Sequence, residues 1–108
     1  MDKATALAYA RRYAEEVTKE LKPEKIVMFG SHANDQADED SDIDVAIIFN
    51  GLGGDFHHVS SWLWSLAWKV SSNIEPIVLD RAEDQIGFVE EILKTGELIY
   101  PQPPASRE

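Results

Sequence analysis

Apolar residues along the chain form two patterns, one typical of helices and one typical of buried strands. Apolar positions three and four residues apart predict helices over 2–21, 55–72 and 83–94. Short apolar runs bounded by glycine, proline or polar residues predict strands at 26–29, 43–49, 74–79 and 98–100. The order helix, strand, strand, helix, strand, helix, strand predicts an α/β (α+β) fold with a small mixed β-sheet flanked by helices.

The length and the two ends of the chain indicate one domain. A chain of 108 residues is close to the usual size of a single domain, and we assign residues 1–101 to it. Residues 102–108 lack large apolar side chains and are expected to form a disordered tail. Pro76 predicts an edge position or an irregularity in the third strand, and Gly96 predicts the cap that ends the last helix.

Charge and composition narrow the classes of ligand. Asp and Glu number 20 against 10 Lys and Arg, and the net charge of -10 argues against direct binding of nucleic acid. There is no cysteine, so a metal must be held by oxygen ligands or by the three histidines, which favours a hard cation. No apolar run is long enough for a membrane helix, and the chain is expected to be cytoplasmic with no membrane contact.

The candidate functional residues are concentrated between the first and second predicted strands. Gly30 and Ser31 follow the first strand, where glycine allows close approach to a ligand and the hydroxyl and following amides can donate to phosphate oxygens. Asp42 and Asp44 open the second strand, and residues two apart in a strand point to the same face. Two carboxylates on one face suit Mg²⁺, which shares its remaining ligand positions with phosphate oxygens and water.

The stretch MFGSHANDQADEDSDIDVAI resembles the signature of the minimal nucleotidyltransferases of the polymerase beta superfamily, and EEILKTGELIYP resembles the end of the same domain. The resemblance implies a polymerase-beta-like nucleotidyltransferase fold with Mg²⁺ as cofactor and ATP as nucleotide donor. It implies that Asp42 and Asp44 are catalytic metal ligands, that Gly30 and Ser31 hold the triphosphate, and that the third catalytic and metal-binding carboxylate is Glu75.

Two positions depart from the family pattern. The third carboxylate is usually aspartate, and Glu75 is one methylene longer and precedes proline, so it could be a base or a spectator. Asp80 is the nearest substitute, but its odd separation from Glu75 places it on the opposite strand face. Family members often carry arginine after Gly-Ser, where this chain has His32, so phosphate binding would depend on metal and backbone or on an arginine of a partner.

Two functional hypotheses follow. In the first, the chain is a nucleotidyltransferase that transfers a nucleoside monophosphate, AMP from ATP, to a hydroxyl acceptor. By the resemblance, that acceptor is a tyrosine of a HEPN-type ribonuclease toxin, with the chain acting as antitoxin in a hetero-oligomer. In the second, it is a catalytically weak binding module with the same fold that neutralises a partner protein by direct contact.

Aromatic and histidine residues outside this motif carry weaker signals. Trp64 and Trp68 lie four apart on a second face of the predicted second helix, and two interpretations are open: packing against the sheet, or an anchor for another protein. Adjacent His57 and His58 would point in different directions, which disfavours a metal site. Tyr9 and Tyr13 are expected to pack in the core.

Overall fold

The computed structural model describes residues 2–30, 33, 42–84 and 86–102. Within these ranges the helices and strands follow the predicted order, which confirms the fold class: α1 (Lys3–Glu20), β1 (Lys25–Phe29), β2 (Ile43–Phe49), α2 (Phe56–Val70), β3 (Ile74–Asp80), α3 (Phe88–Thr95) and β4 (Glu97–Tyr100). Single turns of 3-10 helix at Gly53–Asp55 and Arg81–Glu83 precede α2 and α3. No helix in the described ranges is long and apolar enough to cross a membrane.

The strands form one mixed sheet in the order β3-β2-β1-β4. β1 runs antiparallel to β2 and β4, whereas β2 and β3 are parallel. β3 is therefore an edge strand, as Pro76 predicts, because a residue without an N–H group is tolerated where no further strand requires a hydrogen bond.

The two faces of the sheet carry separate hydrophobic clusters. On one face, α1 and α2 pack against alternate strand residues that include Met28, Val45 and Ile74. On the other face, α3 covers a smaller cluster that includes Val27 and Ala46. Because side chains alternate along a strand, the position of each strand residue in the sequence decides which of the two layers it faces.

A buried hydrogen bond joins the two helices of the larger layer. The ring of Tyr13 in α1 is fully buried, and its hydroxyl donates to the carbonyl oxygen of Leu63 in α2 at 2.8 Å. Burial also raises the pKa of Tyr13 well above its ordinary range. The expected core packing of Tyr13 is confirmed, and Tyr9 packs on the same cluster from a half-buried position.

The predicted start of the third helix is wrong. Helical spacing placed it over 83–94, but α3 begins at Phe88. The carboxylate of Asp84 accepts hydrogen bonds from the amides of Phe88 at 3.1 Å and Val89 at 3.0 Å, which caps the helix there. Gly87 turns the chain with a φ of 77°. Ile86 matches the apolar spacing but is 88% exposed, so its place in the pattern does not reflect packing.

Gly96 ends α3 as predicted, and the structure supplies a steric reason. A Cβ atom at this position would lie 2.5 Å from the Val27 side chain and 2.9 Å from the carbonyl oxygen of Met28. The backbone of Gly96 is extended, with a φ of -90°, so close approach to β1 is the requirement rather than a left-handed turn.

Candidate functional site

The sheet register brings the predicted carboxylates together at one end of β2 and β3. Asp44 lies directly beside Glu75 in the parallel pair, and Phe29 lies directly beside Asp44 in the antiparallel pair. Side chains of residues in register share a face of the sheet. Ala46, two residues after Asp44 in β2, lies on the same face and is buried in the cluster under α3, so the carboxylates lie on the face that α3 covers. Asp42 stands two residues before Asp44, immediately ahead of the strand.

The cluster is open to solvent. Asp42 and Glu75 are exposed, whereas Asp44 is half-buried. Helix α3 packs over Val27 and Ala46, further along the same face, and the smaller cluster beneath it does not include the carboxylates. Two of the three carboxylates are therefore presented to solvent rather than packed beneath α3.

Glu75 interacts electrostatically with both aspartates. A side-chain hydrogen bond to Asp42 raises its pKa above the ordinary value, partial desolvation raises it further, and the charges of Asp42 and Asp44 contribute in the same direction. Each effect favours the protonated form of Glu75 over the carboxylate. A cation between the three groups would reverse that preference, because it would neutralise the repulsion between like charges.

Two features of the structure favour glycine at position 30. Its φ of 79° lies in the left-handed region that disfavours residues with a Cβ atom. In addition, a Cβ atom built on Gly30 would collide with the Oδ2 atom of Asp44. The end of β1 therefore passes against the half-buried carboxylate of β2, and a side chain at position 30 would have to displace that carboxylate.

The structure brings together four of the five predicted site residues: Gly30, Asp42, Asp44 and Glu75. The fifth, Ser31, lies outside the described residues, as does His32. The roles assigned to all five remain predictions.

Asp80 has a different place and a different role from Glu75. It is the last residue of β3, at the opposite end of the strand from Glu75. Its carboxylate accepts hydrogen bonds from the amides of Gly51 and Leu52, both at 2.8 Å, and from the amide of Ala82 at 3.0 Å. These backbone donors hold the pKa of Asp80 below its ordinary value. Asp80 thus fixes the turn after β2 and is remote from the cluster.

Carboxylate oxygens suit Mg²⁺, but the protein side chains alone do not supply a complete metal site. Among the residues that the structure describes, no group of three or more His, Cys, Asp or Glu side chains could hold a metal ion. Mg²⁺ sites in phosphoryl-transfer proteins commonly use one or two carboxylates, with substrate phosphates and water supplying the other ligands. An open group of carboxylates is therefore the expected protein contribution. His57 and His58 are exposed on α2 and lie outside the group.

Sequence reasoning missed one contact beside the site. The rings of Phe29 and Phe88 meet edge to face, with centroids 6.4 Å apart and planes at 87°. Phe29 is the residue before Gly30 and the register partner of Asp44, so the first residue of α3 packs against the strand end that carries the site. Phe29, the apolar residue before Gly-Ser, is visible in the sequence, but nothing local indicates that it packs against Phe88, which is distant in sequence.

Comparison with known proteins agrees with this geometry. Residues 13–104 match the family model described as polymerase beta, nucleotidyltransferase. The chain therefore belongs to the polymerase beta nucleotidyltransferase family. The structure is similar to the crystal structure of a candidate nucleotidyltransferase from Sulfolobus solfataricus, with a TM-score of 0.67 and 26% sequence identity over 89% of this chain and 80% of that chain. Comparison with curated proteins finds no match.

Proposed function

We propose that this chain is a magnesium-dependent nucleotidyltransferase that transfers AMP from ATP to a hydroxyl group of a partner protein. The observation that carries the proposal is the meeting of Asp42, Asp44 and Glu75 at adjacent strand ends, with the backbone of Gly30 against Asp44. Membership of the polymerase beta nucleotidyltransferase family supports the reaction class.

Asp42 and Asp44 would hold the metal, and Glu75 would complete the group of carboxylates. When bound, Mg²⁺ would supply positive charge that offsets the triphosphate and the developing charge on the leaving group. Gly30 keeps the backbone close enough for its neighbouring amides to approach phosphate oxygens. Asp44, fixed in β2 and half-buried, would orient the donor more rigidly than the exposed Asp42.

The transfer itself requires one bond to form and one to break. The acceptor hydroxyl oxygen attacks the α-phosphorus of ATP, and the bond from that phosphorus to the bridging oxygen breaks, so that pyrophosphate leaves. The acceptor proton passes to the carboxylate of Glu75, which lies beside Asp42 and Asp44. Glu75 is exposed at the edge strand, where an incoming hydroxyl can reach it.

An exposed apolar residue near Glu75 supports a tyrosine as the acceptor. Ile77 lies two residues beyond Glu75 on the same strand face and is 37% exposed, although it is apolar. An aromatic ring could pack on Ile77 and place its hydroxyl near Glu75, whereas a sugar hydroxyl gains nothing from an apolar support. We propose that this tyrosine belongs to a HEPN-type ribonuclease toxin and that the chain acts as its antitoxin in a hetero-oligomer.

Binding of the donor is tested first. Saturating Mg²⁺ and ATP together should raise the melting temperature by several degrees, because a ligand at about 100 times its Kd stabilises the native state by about 2.7 kcal/mol. ATP with a chelator, and the double variant Asp42→Asn with Asp44→Asn, are the matched controls and should show little increase. An unchanged midpoint for the unaltered chain would contradict the metal-site proposal.

Transfer is tested with ATP labelled at the α-phosphate. Label should move to the protein encoded next to this chain, and replacement of its acceptor tyrosine by phenylalanine should prevent the transfer. Glu75→Gln should reduce transfer strongly, whereas Glu75→Asp, which keeps the carboxylate, should retain part of it. Neutralisation of the neighbouring protein without label transfer would instead support the binding-module hypothesis.

A further inference from the structure

One face of α2 is exposed along its whole length. His57, Ser61, Trp64 and Trp68 recur at intervals of four, three and four, so they form one stripe, and each of them is exposed. Trp64 is 41% exposed and Trp68 is 69% exposed. Packing of these tryptophans against the sheet, one of the two interpretations of the sequence, is therefore wrong.

The stripe and the carboxylate cluster lie on opposite sides of the sheet. Buried Leu63 and Ala67 direct α2 onto the cluster that contains Met28 and Val45, and the stripe points away from it. Asp44 lies on the face covered by α3. A molecule seated on the stripe would therefore leave the carboxylate cluster open.

The charge of α2 indicates what kind of molecule fits. Phe56–Val70 contains no Asp or Glu, and its charged residue is Lys69, whereas α1 and α3 each carry at least two glutamates. Two copies of a chain with net charge -10 repel each other at most orientations. Because α2 has no carboxylate, a contact between the α2 helices of two copies places no negative side chains of these helices against each other.

The stripe is also complementary to itself. Trp64, Ser65 and Trp68 line one shallow, open depression, in which a small side chain stands beside two large ones. The Ser65 hydroxyl donates to the Ser61 carbonyl oxygen within the helix at 3.2 Å, which satisfies that donor without a partner molecule. Small residues of this kind allow another helix to approach closely.

An antiparallel pair of α2 helices matches a large residue with a small one at the centre of the contact. With a twofold axis between positions 64 and 65, Trp68 faces Ser61 of the second copy. Trp64 and Ser65 lie on the two flanks of the contact, where each is beside its own counterpart in the second copy, and one axis thus repeats every contact, as an isologous interface requires. We infer that the α2 stripe is a homodimer interface in which two copies pack antiparallel and leave both carboxylate clusters facing outward.

The expected dimer is weak. A helix of 15 residues is about 22 Å long and about 10 Å wide, so a single helix pair lies at the lower end of specific interfaces and should dissociate in the micromolar range. Sedimentation velocity of the full chain from about 1 μM to about 500 μM should follow the change from monomer to dimer. A chain that remains monomeric at the highest concentration would overturn the inference.

Two variants test the surface. Trp64→Ala with Trp68→Ala should weaken dimerisation at least about tenfold, as truncation of central aromatic residues commonly does. Ser65→Glu alters an exposed residue and leaves the core unchanged. It should weaken dimerisation to a similar extent, because it adds a negative charge to the interface in each copy. Ile86→Ala, which removes an exposed apolar side chain on the loop before α3, is the matched control and should have no effect. Undiminished dimerisation in both α2 variants would overturn the inference.

Salt and crosslinking distinguish a second copy from a different protein. Raising the salt concentration from about 50 mM to about 500 mM should strengthen the dimer by screening repulsion between like net charges, and weakening would contradict the inference. Because the chain has no cysteine, Ser65→Cys should form a disulfide-linked dimer under oxidation. Ala8→Cys, at an exposed position of α1, is the control and should remain monomeric under the same conditions; equal crosslinking of both variants would contradict the α2 interface.

Discussion

The backbone of Gly30 lies against the carboxylate of Asp44, so closely that no other residue type fits at position 30 without displacing that carboxylate. The contact joins the end of β1 to the start of β2, and it sets Gly30 against the central residue of the carboxylate cluster. A side chain at position 30 would therefore displace the carboxylate of Asp44.

Gly30→Ala should therefore reduce transfer at least about a hundredfold, because displacement of a catalytic group by about 1 Å can cost this much. Gly51→Ala is the matched control, since its φ of 91° is also left-handed and none of the described residues lies within 4 Å of the added Cβ. Both should lose about 1 kcal/mol of stability from backbone strain, but Gly51→Ala should retain transfer. Equal activities of the two variants would show that the Asp44 contact has no catalytic consequence.

Asp42→Asn should abolish transfer without unfolding the chain. If Asp42 holds Mg²⁺ as proposed, its loss should cost more than about a hundredfold, since changes to residues that only support a ligand cost up to that amount. The free energy of unfolding should be unchanged or higher, because the substitution removes a charge that repels Glu75. Glu83→Gln neutralises an exposed carboxylate at the other end of β3 and should leave transfer unaltered. Wild-type transfer by Asp42→Asn would exclude Asp42 as a ligand.

Asp80→Asn should lower stability at neutral pH and leave transfer intact. The folded pKa of Asp80 is depressed by backbone donors, so its stabilising contribution is present above the unfolded value of about 3.9 and disappears as the pH falls through the folded pKa. Denaturation curves should therefore separate wild type from variant at pH 7 and converge in acid. Loss of transfer with unchanged stability would mean that Asp80, rather than Glu75, serves the site.

Tyr13→Phe should cost about 1 kcal/mol, because it removes one buried hydrogen bond while preserving the packed ring. In a domain of this size, that loss lowers the melting temperature by about 4–8 °C. Tyr9→Phe, at a half-buried position on the same helix, is the control and should change the midpoint less. Equal effects would indicate that the bond between Tyr13 and Leu63 contributes little net stability.

Most of the fold was predictable because its helices and strands are marked by patterns among residues close in sequence. The run at 43–49 has the bounds of β2. Pro76 predicted an edge position or an irregularity in the third strand, and β3 lies at the edge of the sheet. The start of α3 was missed because the cap by Asp84 interrupts an apolar spacing that continues through Ile86. Spacing reports which residues could share a face, but not where the backbone becomes helical.

The site was predictable as a set of residues but not as an arrangement. The sequence indicates that Asp42 and Asp44 share a strand face, since that follows from their separation. It does not indicate that Asp44 lies directly beside Glu75, because strand pairing joins residues 31 positions apart. Likewise, the capping of the Gly51 turn by Asp80 joins residues separated by 29 positions and has no local signature.

The alternation along β2 restricts how this protein can evolve. Ile43 and Val45 pack under α1 and α2, while Asp44 between them faces the opposite layer. Inserting one residue within 42–49 would reverse the facing of the strand on one side of the insertion relative to the other, so either the carboxylates or part of the core would face the wrong layer and the fold would be disrupted. Mutations that add or remove residues in β2 should thus be purged as misfolded chains, whereas point substitutions of the aspartates can yield folded, inactive descendants.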